Sequence, residues 1–213
     1  QIRDATVSGS VVGSNSFPGS ERIGGLVGDN EGTLHRATAS VTVDAVRQDA
    51  SRVGGLVGRN GGVITNTTAS GSVNGDFRAG GLVGQNAGVV RDSFAVGFVT
   101  DLAAESGGST VTGLVGANFG TVEDAYFDTQ TTGQSISAGN ATGLNTVQMT
   151  GEAARSNMSG LAYGVVWTTQ SADYPVLIDD PTGLTAVDTE YRTAENTTLT
   201  VTSPGLLSNV TDS

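Results

Sequence analysis

Ile23-Gly-Gly-Leu-Val-Gly-Asp-Asn-Glu-Gly32 returns three times along the chain without a gap. The copies are Val53-Gly-Gly-Leu-Val-Gly-Arg-Asn-Gly-Gly62, Ala79-Gly-Gly-Leu-Val-Gly-Gln-Asn-Ala-Gly88 and Val111-Thr-Gly-Leu-Val-Gly-Ala-Asn-Phe-Gly120. An apolar residue follows each in the same register: Leu34, Ile64, Val90 and Val122. The first three units then close on Ala39-x-Val41-x-Val43, Ala69-x-Gly71-x-Val73 and Ala95-x-Gly97-x-Val99. The chain opens on the second half of the same unit, ending Val7-x-Gly9-x-Val11. Gly25, Gly55, Gly81 and Gly113 are spaced by 30, 26 and 32 residues, and variable stretches such as 44–51 and 100–110 absorb the difference.

The closing segments alternate with period 2, small residues against Ser and Thr, the pattern of a strand with one face inward. So short a strand cannot bury its face alone. Stacking one coil per repeat, about 4.8 Å apart, pairs each backbone with the coils on either side. The sequence therefore predicts an all-β chain: a β-solenoid of about four to five coils. Its repeat positions are Gly25, Leu26, Gly28 and Asn30; Gly55, Leu56, Gly58 and Asn60; Gly81, Leu82, Gly84 and Asn86; and Gly113, Leu114, Gly116 and Asn118. Gly-x-Asn-x-Gly reads as a corner, where glycine permits positive φ and Asn tolerates it best among the others. The four Asn residues are expected either to take left-handed corners or to stack their amides into a ladder. Ala69, Gly71 and Val73 are expected to face in, Ser70 and Ser72 out.

The repeat Gly-Gly-Leu-Val-Gly-x-Asn-x-Gly-x-Val/Ile, closed by Ala-x-Gly-x-Val, resembles the GLUG motif of very large bacterial and archaeal surface proteins. The resemblance covers residues 1–128, with Thr112 in place of a Gly and Val41 in place of the closing Gly as departures. It implies a β-solenoid with a scaffold or adhesive role and no catalytic residues.

From Ala125 the Leu-Val-Gly signal stops. Residues 129–180 hold the single Trp and both Met residues, and resemble the segment that follows the last such repeat in those proteins. They are expected to cap the solenoid, with Trp167, Tyr174 and Leu177 as core and a short helix from Thr146 to Met158 capped by Asn145 or Thr146. Residues 181–213 resemble a linker and the truncated opening of a cadherin-like or immunoglobulin-like repeat, so a piece of a longer parent is expected.

Composition agrees with a stacked rather than a rounded core: 32 Gly, 4 Pro and 5% aromatic residues in 213. Cys is absent, which excludes disulfides and thiolate metal sites. The net charge is −11, and all ten basic residues are Arg. An acidic, lysine-free surface repels phosphate backbones and anionic membranes, and suits concentrated salt, where carboxylates stay hydrated and their repulsion is screened. The expected setting is extracellular or at the cell surface, in a salt-loving source. The expected partners are other domains of the same chain and cell-surface glycans or proteins, with no nucleic acid and no membrane insertion. Sequons at Asn66, Asn140, Asn157, Asn196 and Asn209 are candidate glycosylation sites.

Candidates for chemistry are few. The single His35 shares a register with Arg3, Thr65, Arg91 and Glu123, read as an exposed, variable slot. Asp4, Arg36, Asn66, Asp92 and Asp124 share the next register, which puts Asp92 and Asp124 on adjacent coils. Stacked carboxylates could cleave a glycan, but Asp and Asn are also ordinary corner residues, and no cleft-building loop accompanies them. A glycan-binding module would need exposed aromatics, for which Phe94 and Phe98 are the candidates. No cofactor is expected. A calcium ion at the domain junction would draw on Asp179, Asp180, Asp188 and Asp212, whose spacing matches no specific motif.

Overall fold

The computed structural model describes residues 1–13, 21–45, 52–102 and 110–178, and the backbone of 184–186 and 210–212. It is an all-β chain whose parallel strands stack into a solenoid of about four turns. Each turn has three faces. Two are built from short strands: Arg22–Gly24, Arg52–Gly54, Arg78–Gly80 and Thr110–Thr112 on one, Val27–Asn30, Val57–Asn60, Val83–Asn86 and Val115–Asn118 on the next. The third face is long, stacking Ile2–Val12, Thr33–Asp44, Val63–Ala69, Val89–Ala95, Thr121–Asp128 and Thr142–Leu144. Equivalent repeat residues pair directly, as Asn30 with Asn60, Asn60 with Asn86 and Asn86 with Asn118.

The bends are paired as well as the strands. Leu26 donates its amide to Leu56 O at 3.0 Å, Leu56 to Leu82 O at 3.0 Å and Leu82 to Leu114 O at 2.9 Å. Leu56, Leu82 and Leu114 are completely buried, each stabilising the stack by about 1.5–3 kcal/mol. Ala69 and Val73 point into the same core, while Ser70 is exposed and Ser72 and Gly71 are half-buried.

The repeat glycines are explained by crowding, not by positive φ. No glycine of the four Leu-Val-Gly stretches lies in the left-handed region, whereas Gly9 of the opening half-unit has a φ of 131°. A Cβ on Gly55 would collide with the carbonyl oxygen of Gly81 in the next coil, and Gly25 and Gly81 face the equivalent oxygens. Thr112 stands where Gly80 would meet its own coil's Val83 carbonyl. Its hydroxyl turns that collision into a 2.7 Å hydrogen bond to Val115 O.

The end is closed by less chain than residues 129–180. Val99 donates to Thr132 O at 3.0 Å, Gly113 to Ile136 O at 2.9 Å and Ala138 to Val115 O at 3.0 Å. Tyr126 then pairs with Thr142. Residues up to 144 therefore form one short last coil, and the stack extends past 128. Phe127 plugs its interior at the position that Ala69 and Ala95 hold below, packed against Gly113.

Residues 145–178 leave the end and run back along the outside of the long face. The expected single helix is two, Thr146–Met149 and Ala153–Asn157, parted at Gly151, whose φ of 58° breaks the turn. Asn145 caps the first in a reciprocal box with Gln148. The hairpin Trp167–Gln170 and Asp173–Leu177 follows. Met149, Ala154, Met158, Leu161 and Trp167 bury a second core against Phe94 and Tyr126, which point outward from the solenoid. The strands Leu184–Ala186 and Val210–Asp212 pair with each other, antiparallel. The rest of residues 181–213, expected as a linker and the opening of a further repeat, lies outside the described residues.

Candidate functional site

The register of Asp4, Arg36, Asn66, Asp92 and Asp124 is the left-handed corner of every coil, with φ of 51, 56, 55, 53 and 44°. Asp and Asn tolerate this region because their short polar side chains can bond locally. Arg36 is the exception. The Asn30 register stays extended and builds the ladder: Asn30 Nδ2 donates to Asn60 Oδ1 at 2.7 Å, Asn60 to Asn86 at 2.8 Å and Asn86 to Asn118 at 2.8 Å.

The returning segment docks over the corner column one coil at a time. Gly160 N donates to Tyr126 Oη at 3.0 Å, the Trp167 ring lies 5.3 Å from Phe94, and Trp167 Nε1 donates to Asn66 Oδ1 at 3.2 Å. At the far end Arg36 Nη2 donates to Ile178 O at 2.6 Å and its Nε to Asp4 Oδ1 at 2.5 Å. A cavity of about 350 Å³ opens there, lined by Asp4, Thr6, Arg36, Thr38, Val176 and Leu177. A smaller one, about 210 Å³, lies at the last coil between Asn118, Glu123 and Asn140. Burial pushes the Tyr163 hydroxyl up to about 12 and raises Tyr126 and Tyr174, the last also through its bond to Asp128.

Asp92 and Asp124 do lie on neighbouring coils, since Arg91 pairs with Glu123 and Ser93 with Ala125 on either side of them. Asp92 accepts from Thr65 Oγ1 at 3.0 Å and lies 3.6 Å from Arg91. Asp124 packs against Gly160. Neither lines the two cavities. The arrangement is that of corner residues engaged by their neighbours. His35 falls in register with Arg3 and Thr65, but the slot is not uniformly exposed: Thr65 is buried. Burial first, then Arg3 and Arg36, lower the His35 pKa.

Phe94 is 1% exposed and belongs to the second core, so it is not a ligand platform; Phe98 is 55% exposed. Phe119, not singled out from the sequence, is the most exposed Phe described, at 69%. Asn66 is buried with its amide engaged by Trp167, which removes it as a glycosylation acceptor in the folded chain. Asn140 is exposed, and Asn157 donates to Ala153 O within its helix. Asn196 and Asn209 lie outside the described residues, as do Asp179, Asp180 and Asp188. Asp212 is described by its backbone alone. Among the described residues no three His, Cys, Asp or Glu side chains gather to hold a metal.

The fold thus defines a β-solenoid repeat module. Compared with protein-family models, residues 49–74 match the GLUG motif, a span of about one coil around the second Leu-Val-Gly unit. Comparison with curated proteins and with solved structures found no match. The matched motif and the solenoid are of a repeat, structural type, not of an enzyme family.

Proposed function

We propose that this chain is a structural and adhesive module of a large extracellular surface protein, a rigid spacer that carries neighbouring domains of the same chain away from the cell. The continuous Asn30–Asn60–Asn86–Asn118 ladder carries this reading, because it binds successive coils side chain to side chain in addition to the backbone. The returning segment adds contacts to several coils at once, resisting their separation. A lysine-free chain of net charge −11 supports the extracellular, salt-rich setting. Single-molecule pulling on the whole chain by its two ends tests the role. Cooperative rupture with a clear force peak is expected. Smooth extension without a peak would mean that the module carries no load, and would overturn the spacer reading.

A further inference from the structure

We propose that the seam between the two short-strand faces binds an acidic glycan, with Arg52 and Arg78 gripping its carboxylate or sulfate groups and Phe119 supporting a sugar ring. The proposal names a ligand for the adhesive part of the role above and is independent of the spacer part, since a pulling experiment involves no ligand.

Arg22, Arg52 and Arg78 stack in one register, directly paired from coil to coil. Beside them runs the register of Asp29, Arg59, Gln85 and Ala117. In the first coils the charges are matched: Arg22 meets Asp29 at 2.9 Å, and Arg59 meets Asp29 at 3.0 Å and also Glu31. Further up the stack they are not. Arg52 Nε and Arg78 Nη1 both donate to the neutral Gln85 Oε1, at 2.5 and 2.9 Å, and neither has a carboxylate partner among the described residues. Burial and then the like charges of Arg78, Arg22 and Arg59 act against the charged form of Arg52. Two guanidinium groups converging on one amide oxygen, in a chain of net charge −11, make a site that an anion would stabilise.

The surroundings select the kind of anion. The Arg78 guanidinium lies 4.8 Å from the Phe77 ring centroid and 5.9 Å from that of Phe119. In the next coil the seam positions shrink to Thr110 and Ala117, leaving the exposed Phe119 ring beside small residues. An amphipathic ligand with an apolar face and an acid group fits this pairing of ring and cations. A nucleic acid does not, because its dense phosphates would meet the negative field of the whole chain beyond this short patch. A glycan carrying isolated acid groups places one or two charges on the arginines and keeps the rest of its length neutral.

Titration calorimetry on the whole chain at low salt, with a galacturonate oligomer, a sulfated galactose oligomer, a neutral galactose oligomer and sodium sulfate, tests it. At least one acidic oligomer is expected to bind and the neutral one not, and the pair distinguishes carboxylate from sulfate. Arg52→Gln and Arg78→Gln should each weaken binding about tenfold. Arg155→Gln, on the returning segment, should leave it unchanged. Phe119→Ala should weaken the oligomer but not sulfate, and thermal melts matching the parent chain would show that the variants fold. The proposal is overturned if neither acidic oligomer binds, or if the arginine variants bind as the parent does. It is overturned equally if sulfate binds as tightly as the oligomers with no effect of Phe119→Ala, which would mark an ion site only. Tighter binding of a single-stranded oligonucleotide through the same arginines would replace the glycan with a nucleic acid.

Discussion

The indole Nε1 of Trp167 donates to the side-chain oxygen of Asn66, 101 residues earlier, in a buried 3.2 Å hydrogen bond. Asn66 does two things at this point: it holds φ at 55° in its coil's corner and supplies the acceptor for the docking segment. The two can be separated. Asn66→Gly keeps the conformation and loses the acceptor, so it should cost about 1–3 kcal/mol from the orphaned indole N–H. Asn66→Val also opposes the left-handed backbone and should cost more. Denaturant titration followed by circular dichroism gives both values, and equal losses would show that the corner conformation contributes nothing.

The amide ladder predicts a graded series. Asn60 is fully buried, accepts from Asn30 and donates to Asn86, Gly62 O and Val89 O. Asn60→Ala orphans partners on both sides and should destabilise by about 2–4 kcal/mol. Asn60→Asp can still accept from Asn30 but faces Asn86 Oδ1 oxygen to oxygen, and should be at least as harmful. Asn118, half-buried at the end of the ladder, should tolerate Ala at a cost of about 1 kcal/mol. A flat series in equilibrium unfolding would mean the amides contribute no more than water would.

The inward and outward faces of the closing strand predict opposite results for one substitution at adjacent sites. Ala69 is completely buried and Ser70 exposed, bonded to Ser40 Oγ at 2.8 Å across the coil boundary. Ala69→Asp should cost several kcal/mol through an unpaired buried charge, while Ser70→Asp should be near neutral. Similar midpoints for the two in urea would contradict the assignment of faces.

What the sequence made legible was whatever recurs. Leu56, Leu82 and Leu114, or Asn60 and Asn86, declare their registers because the same residue stands in the same place in each unit. The physical reason for a recurrence was harder to read. Glycine serves positive φ and close approach alike, and only the oxygen of Gly81 against Gly55 separates the two. Asn likewise suits a left-handed corner or a ladder; the left-handed corner falls on the Asp4–Asp124 register, where Asp and Asn were legible as corner residues and Arg36 breaks the pattern. The path of residues 145–178 had no such signal. Its contacts, such as Arg36 with Ile178, join chain segments 142 residues apart and occur once. The arginine seam was present in the sequence as Arg22, Arg52 and Arg78, each one residue before the repeated stretch, with Thr110 ending the run.

Alkaline pH should release the returning segment before it melts the solenoid. Tyr126, Tyr163 and Tyr174 belong to or pack against the second core, and burial raises each above the ordinary 10, Tyr163 to about 12. A raised folded pKa means that the folded state holds its proton where the unfolded state has lost it. The stabilisation is therefore intact below about pH 10 and is lost as pH climbs through the folded values. Among the described residues the solenoid core contains no Tyr. Trp167 emission should shift to the red between pH 10 and 12 while the β-sheet dichroism persists. Coincident loss of both signals would show that the two cores unfold as one unit.

Salt should stabilise the chain rather than weaken it. Asp and Glu outnumber Arg by 21 to 10, so repulsion among carboxylates outweighs the attraction available to them. The pairs that salt would screen away, such as Arg22–Asp29 and Arg155–Glu152, are solvent-accessible, and exposed pairs of this kind contribute about 0–1 kcal/mol each. Raising NaCl from dilute to molar shortens the screening length from tens of ångströms to about 3 Å, which removes the long-range repulsion first. The melting temperature should therefore rise steadily across that range at neutral pH. The gain should shrink in a variant with Asp173→Asn and Glu123→Gln, two exposed positions that carry part of the excess charge. A melting temperature that is flat or falls with salt would show that packing of the coils, and not the acidic surface, sets the stability, and would remove the support that the charge balance lends to a salt-rich setting.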